Sequence, residues 1–124
     1  MTPAARFSSA ISLLEAIFST PQQPADKIAH AWFLARRYAG AKDRASILTL
    51  VWTILKHFFR LNWWIQKSPL ASSIGPSARI LVGTYFLLTG GTLEELKDLF
   101  SGAQFAEHKL SSHEEAAFAF FFTP

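Results

Sequence analysis
The sequence predicts an all-α protein, a compact bundle of about six or seven helices. Three observations carry that reading. Apolar residues recur every three or four positions through most of the 124 residues, the period of a helix with one buried face. No window alternates apolar and polar residues as a half-buried strand does. Cap residues, prolines and glycines bracket each apolar stretch where helices start and stop. The length suits a single domain, residues 1–124, large enough to close one core.

The elements follow in order. Thr2 caps the first helix, and Pro3 sits in its first turn, where a missing N–H costs nothing. Phe7, Ala10, Ile11, Leu14, Ile17 and Phe18 form its apolar stripe. Pro21 and Pro24 mark a short loop, and Pro24 opens a second helix with Ile28, Ala31, Trp32, Ala35 and Tyr38 facing inward. Gly40 is expected to end it as a left-handed C-terminal cap. Asp43 is expected to cap a third helix through its side-chain oxygen. That helix reaches about Phe59, with Ile47, Leu50, Val51, Ile54, Leu55 and Phe58 on one face. It is read as the most apolar of the set and placed centrally. A short helix or turn follows at 61–67, then a loop rich in Ser, Pro and Gly at 68–76. Pro76 begins the next helix, which carries Ile80, Leu81, Tyr85 and Leu88 and stops at Gly90-Gly91. Thr92 and Glu95 have the spacing of a capping box, opening a helix over about 93–100 that ends near Gly102. Ser111 and Ser112 before Glu114 and Glu115 signal a last start, leading into 116–122.

Composition excludes several classes. Half of the residues are apolar and 17% are charged, against roughly 25% charged in ordinary globular chains. Disorder as the main state is excluded, and part of the surface reads as built to be covered. The absence of cysteine removes a disulfide scaffold, thiolate-held zinc or iron–sulfur and a cysteine nucleophile. The longest charge-free stretches, 80–93 and 45–55, fall short of the ~18–20 apolar residues that span a bilayer. The N-terminus lacks the basic region and unbroken apolar run of a signal peptide. A cytoplasmic, reducing location with no membrane partner is the expectation.

Charge is unevenly spread. Residues 1–26 carry a net −1, residues 27–79 a net +8 and residues 80–124 a net −4. The middle segment holds nine bases against one acid, Asp43. Such a segment fits either a polyanion footprint or a solvated helix face. Arg36 and Arg37 end one helix in this reading, and Lys42 and Arg44 begin the next, so four cations meet at one junction. The exposed N–H groups of a helix start suit a phosphate there. Lys56 and Arg60 are four apart and are expected to share a face. Structural roles are also open to these residues: Arg44 can meet a helix C-terminus, and Arg37 can bond Asp43.

Patterns that carry catalysis are missing. His30, His57, His108 and His113 form no HxxxH or HExxH pair. His108 and His113, near Glu107 and Glu114, are a loose group of metal-type donors that reads more simply as solvated loop residues. No GxSxG, P-loop or GxGxxG occurs. Glu94, Glu95 and Asp98 complement a helix dipole without any catalytic role. No catalytic residue, metal ligand or cofactor is assigned in this chain, which reads as a binding module and not an enzyme. Trp32, Trp52, Trp63 and Trp64 with twelve Phe can be stacking platforms for bases or core. Trp63 and Trp64 cannot both face inward on one helix. Phe118, Phe120, Phe121 and Phe122 surround the last helix, as expected for a fragment whose end packs on a further domain.

The order of several segments then becomes informative. They are Thr2-Pro3-Ala4-Ala5-Arg6 with Ile11 and Leu14, and Ala35-Arg36-Arg37-Tyr38-Ala39-Gly40-Ala41-Lys42-Asp43-Arg44. Leu61-Asn62-Trp63-Trp64-Ile65, Ser77-Ala78-Arg79-Ile80-Leu81 and Thr92-Leu93-Glu94-Glu95-Leu96 with Phe100-Ser101-Gly102 follow. In this order the chain resembles the helical N-terminal domain, similar to the antiterminator NusB, of bacterial Nol/Nop/Sun-family ribosomal RNA cytosine-5 methyltransferases. The resemblance implies a NusB-like bundle that docks RNA for an S-adenosylmethionine-dependent enzyme. The family's catalytic cysteines and cofactor-binding domain have no counterpart here, so the cofactor is implied only for a missing C-terminal methyltransferase domain. By position, Arg6, Arg36, Arg37, Lys42 and Arg44 match the basic part of the family's first helices, and Lys56 and Arg60 are added from the charge pattern. Asn62 stands where an Asp is common, and the position that is usually acidic in NusB's fifth helix falls within Tyr85-Phe86-Leu87, which holds no acid. These departures favour the methyltransferase accessory domain over a stand-alone antitermination factor, which is the second reading. A helical adaptor that binds no RNA is the third.

Overall fold
The computed structural model describes residues 1–68 and 77–120. Among them are seven helices and no strand: α1 Pro3–Ser19, α2 Ala25–Leu34, α3 Ala41–Lys56, α4 Phe58–Lys67, α5 Ala78–Leu88, α6 Leu93–Leu99 and α7 Ser112–Ala119. The helices form a compact all-α bundle, as the periodicity predicts.

Local chemistry sets most helix starts. The Thr2 hydroxyl accepts the Ala5 N–H at 3.1 Å, with Pro3 in the first turn of α1. Ser77 accepts the Ile80 N–H at the start of α5; the predicted start at Pro76 lies outside the described residues. Thr92/Glu95 and Ser111/Glu114 each form a complete capping box, satisfying two free N–H groups apiece. At the end of α5, Gly90 has φ +104, a backbone region that glycine enters without a Cβ penalty. The following Gly91 N–H then returns to the Phe86 carbonyl at 2.9 Å.

The predicted boundary between α2 and α3 needs correction. The second helix ends at Leu34, with Ala35 as a right-handed cap. Arg36 and Arg37 therefore lie in a turn and not in a helix. Gly40 is not a left-handed stop; with φ −73 and ψ 173 it is the N-cap of α3. Its carbonyl accepts the Arg44 N–H at 2.9 Å. Asp43 is consequently the third helical residue and caps nothing through its side chain. The inward face of α2 shifts accordingly: Ala29, Trp32 and Phe33 are buried, while Ala31, Ala35 and Tyr38 are exposed.

The centre also differs from the expectation. Seven residues of α5 are buried, namely Ala78, Arg79, Leu81, Val82, Gly83, Thr84 and Leu87. They point all round the helix, which packs against α1, α3, α4, α6 and α7. A helix that buries residues on every side belongs in the middle. The third helix buries a single stripe, Ile47, Val51 and Ile54, and leans mainly on α1. Small residues let neighbours approach α5: a Cβ at Gly83 would sit 2.7 Å from the ring of the fully buried Phe118 on α7. The third helix breaks off at His57, earlier than Phe59. No proline or glycine marks that break. Ile47, Val51, Ile54, Phe58, Leu61 and Ile65 would continue one stripe. The turn redirects Leu61 and Ile65 into the core beside α5, and Phe58 packs edge-on against Phe18 of α1.

Candidate nucleic-acid interface
The basic junction is built by a short turn. Ala39, buried, anchors it with an N–H donated to the Arg36 carbonyl at 3.1 Å. Its neighbours Arg37 and Tyr38 are exposed, as are Lys42 and Arg44 in the first turn of α3. Arg36 is half-buried. Its guanidinium lies 4.1 Å from the Trp32 ring centroid, and Nη1 donates to the Trp32 carbonyl at 3.2 Å. Arg44 lies 5.4 Å above the ring of Phe33, in the last turn of α2. Trp32 and Phe33 thus form a ledge on which two guanidinium groups rest, an arrangement that leaves the hydrogen-bonding edge of a cation available.

Arg6 plays a different part. Its Nε donates to Asp43 Oδ1 at 2.8 Å, and the N-terminal ammonium donates to Oδ2 at 3.4 Å. The Arg6 hydrogen bond, aided by the ammonium, holds the Asp43 carboxyl below its ordinary 3.8 despite some desolvation. The one acid of the basic segment is therefore occupied by α1 and not by Arg37. Lys56 and Arg60 are exposed but lie on different helices, either side of the His57 break. The shared helix face expected of them does not exist. With a rise of 1.5 Å per residue, the 16 residues of α3 put Lys56 about 20 Å from Lys42. The structure brings together Arg36, Arg37, Lys42 and Arg44, neutralises Arg6, and sets Lys56 and Arg60 apart.

A cavity of about 750 Å³ opens beside the junction, between the first half of α1, the α2–α3 turn and the loop after α6. Its α1 wall is made of small side chains, Thr2, Ala5, Ser8, Ser9 and Ser12. Arg36, Tyr38 and Phe105 line the other sides. Tyr38 is 74% and Phe105 76% exposed, and Phe105 has φ +68, a region that L-residues other than Asn, Asp and His seldom enter.

No protein-family model, curated protein or solved structure matches this chain.

The loop that carries Phe105 is fixed from inside by a cation that sequence reasoning counted with the basic segment. Arg79, on α5, is only 7% exposed. Its Nε and Nη2 donate to Glu114 at 2.9 and 3.2 Å, Nη1 to Glu107 at 3.3 Å, and Nη2 also to the Lys109 carbonyl at 3.1 Å. Phe100 lies under the guanidinium, 4.6 Å from its centroid. Glu107 in turn accepts the Ser8 hydroxyl of α1 at 3.1 Å. Arg79 thereby ties α5, α7 and the 100–111 loop into one unit. Glu107 and Glu114, expected to be solvated, are its partners. Among the described residues no group of three or more His, Asp or Glu side chains could hold a metal ion. None of the described helices is long and apolar enough to cross a membrane.

Two features of the candidate site escaped the sequence. Tyr38 read as core because it continued a helical stripe that in fact ends at Leu34. Phe105 carried a weak signal, the lone aromatic between Ser101 and Glu107. The Trp63/Trp64 conflict resolves as the spacing required: Trp63 is exposed and Trp64 half-buried.

Proposed function
We propose that this chain is an RNA-binding module, the accessory domain of an S-adenosylmethionine-dependent ribosomal RNA cytosine-5 methyltransferase. The observation that carries the RNA reading is the junction between α2 and α3. Arg37, Lys42 and Arg44 are exposed there, Arg36 is stacked beside them, and the nearest acid, Asp43, is already paired with Arg6 and the N-terminal ammonium. Cations so placed meet successive phosphates without a competing carboxylate. Lys56 and Arg60 would meet a different stretch of the same strand. The methyltransferase assignment is supported by the resemblance in segment order. In this reading the cofactor and the cysteine chemistry belong to a domain that follows these helices, and no catalytic step is assigned to them. A reading frame that continues beyond Pro124 into a strand–helix–strand pattern is the outcome this assignment expects.

Binding is tested by fluorescence anisotropy with a labelled structured RNA over a salt series. Three phosphate contacts give a slope of about −2.1 to −2.7 in log affinity against log salt, a loss of about 20- to 40-fold between roughly 50 and 200 mM. Arg37→Glu with Lys42→Glu is expected to weaken binding more than tenfold and flatten the slope. Absence of binding at about 50 mM salt overturns the reading.

A further inference from the structure
The cavity beside the basic junction has the composition of a site for one unstacked base. We propose that it receives a single flipped-out nucleotide of the bound RNA, with its base against Tyr38 and Phe105 and its phosphate toward Arg36. The proposal rests on the RNA-binding reading and adds a place where bases, and not only phosphates, are recognised.

Five observations carry it. The volume, about 750 Å³, lies within the roughly 300–1,000 Å³ of small-ligand sites, so a base with its ribose fits. Three aromatic residues line it; Trp32 is buried, while the rings of Tyr38 and Phe105 stay about three-quarters exposed, where a planar ligand would cover surface that no described residue covers. The lining includes one guanidinium and no carboxylate, which selects an anionic partner over a cationic one. Arg36 gives one N–H of its fork to the Trp32 carbonyl, and no other bond of that fork is made among the described residues. The hydroxyls of Ser9 and Ser12 and the amide of Gln104 complete the lining; they can donate to and accept from a base edge.

The backbone supports the same assignment. Phe105 holds φ +68 and keeps its ring at the cavity wall instead of in the core. Glu107, two residues on, fixes the loop through Ser8 and Arg79. A positive φ at an aromatic residue is costly and persists where surrounding contacts over-determine it. Stacking of a base on an aromatic ring is tolerant of base identity, so the site captures an unpaired nucleotide without reading its sequence closely.

The experiment compares two labelled probes by anisotropy: a short single-stranded oligoribonucleotide, and an abasic strand of the same length and charge. The wild-type chain is expected to bind the base-containing strand at least fivefold more tightly. Tyr38→Ala and Phe105→Gly should each remove that surplus, while abasic binding and its salt slope stay unchanged. Both side chains are exposed, so the core is untouched, and glycine suits the positive φ at 105; unchanged helical circular dichroism verifies folding. If the variants bind both probes as the wild type does, the cavity assignment is overturned and the phosphate grip stands. If they weaken both probes equally, the rings serve the phosphate grip and the assignment again fails. If the wild type binds neither probe, the RNA reading and this inference fall together.

Discussion

Replacing Arg79 by methionine tests the internal brace that holds the loop wall of the cavity. Methionine keeps an unbranched apolar stem against Phe100 but removes every hydrogen bond that the guanidinium makes. Glu107 and Glu114 are then left as neighbouring carboxylates in a partly buried site. Breaking a buried pair in this way costs about 3–5 kcal/mol, because the orphaned charge has lost water as well as its partner. For 124 residues the unfolding entropy is about 0.26 kcal/mol/K. The midpoint of thermal unfolding, followed by circular dichroism at neutral pH, should therefore fall by about 12–19 °C.

The pH dependence supplies a second readout. In the wild type, burial pushes the Glu114 carboxyl up. The Arg79 hydrogen bond and the Ser111 backbone N–H outweigh burial and hold it below its ordinary 4.5. A carboxyl depressed in the folded state contributes stability that is fully present above the unfolded value and lost as pH falls through the folded one. Wild-type stability should thus decline below about pH 4.5. In Arg79→Met burial, the largest single influence, is opposed mainly by the Ser111 N–H, so acidification from neutral pH toward 5 should stabilise the variant. Adding Glu107→Gln and Glu114→Gln to Arg79→Met should recover most of the loss. A midpoint shift under about 4 °C, equivalent to roughly 1 kcal/mol, or a variant with wild-type acid response, would refute the brace.

Three further outcomes are expected. Gly83→Ala gains about 1 kcal/mol of helix propensity but forces a Cβ to 2.7 Å from the Phe118 ring; overpacking of about 1–3 kcal/mol should win. A lower urea midpoint checks it, and a higher one would mean that α7 does not seat on α5 there. Thr84 is fully buried, and its hydroxyl has no partner among the described residues. Thr84→Val removes that unsatisfied group and should raise stability by about 1–2 kcal/mol in the same assay. Asp43→Asn frees Arg6 and deletes the junction's acid, so affinity for RNA should rise a few-fold with a steeper salt slope; unchanged binding would mean that the junction is not the contact.

Much of the fold is legible because helix punctuation is local chemistry. Thr2, Thr92 and Ser111 each reach an N–H three residues on, so the whole device sits inside four letters of sequence. The same locality explains the errors. Gly40 is a plausible C-terminal stop and an equally plausible N-cap, and only the path of the turn decides between them. The break at His57 has no local signal, because the stripe runs through it; packing of Leu61 and Ile65 beside α5 imposes it. Splitting Lys56 from Arg60 follows from that break.

The candidate site divides the same way. The sequence by itself determined the all-helical class, the caps at Thr2, Thr92 and Ser111, the lack of cysteine chemistry and the concentration of positive charge between residues 27 and 79. The tertiary structure alone decided which cations of the chain face solvent. Arg6 meets an acid 37 residues away, and Arg79 meets two, 28 and 35 residues away. The cavity likewise depends on a loop tied to α1 by Ser8 and Glu107 across 99 residues. Capping is closed by the backbone within one turn, whereas an ion pair or a pocket wall exists only once burial brings distant segments together.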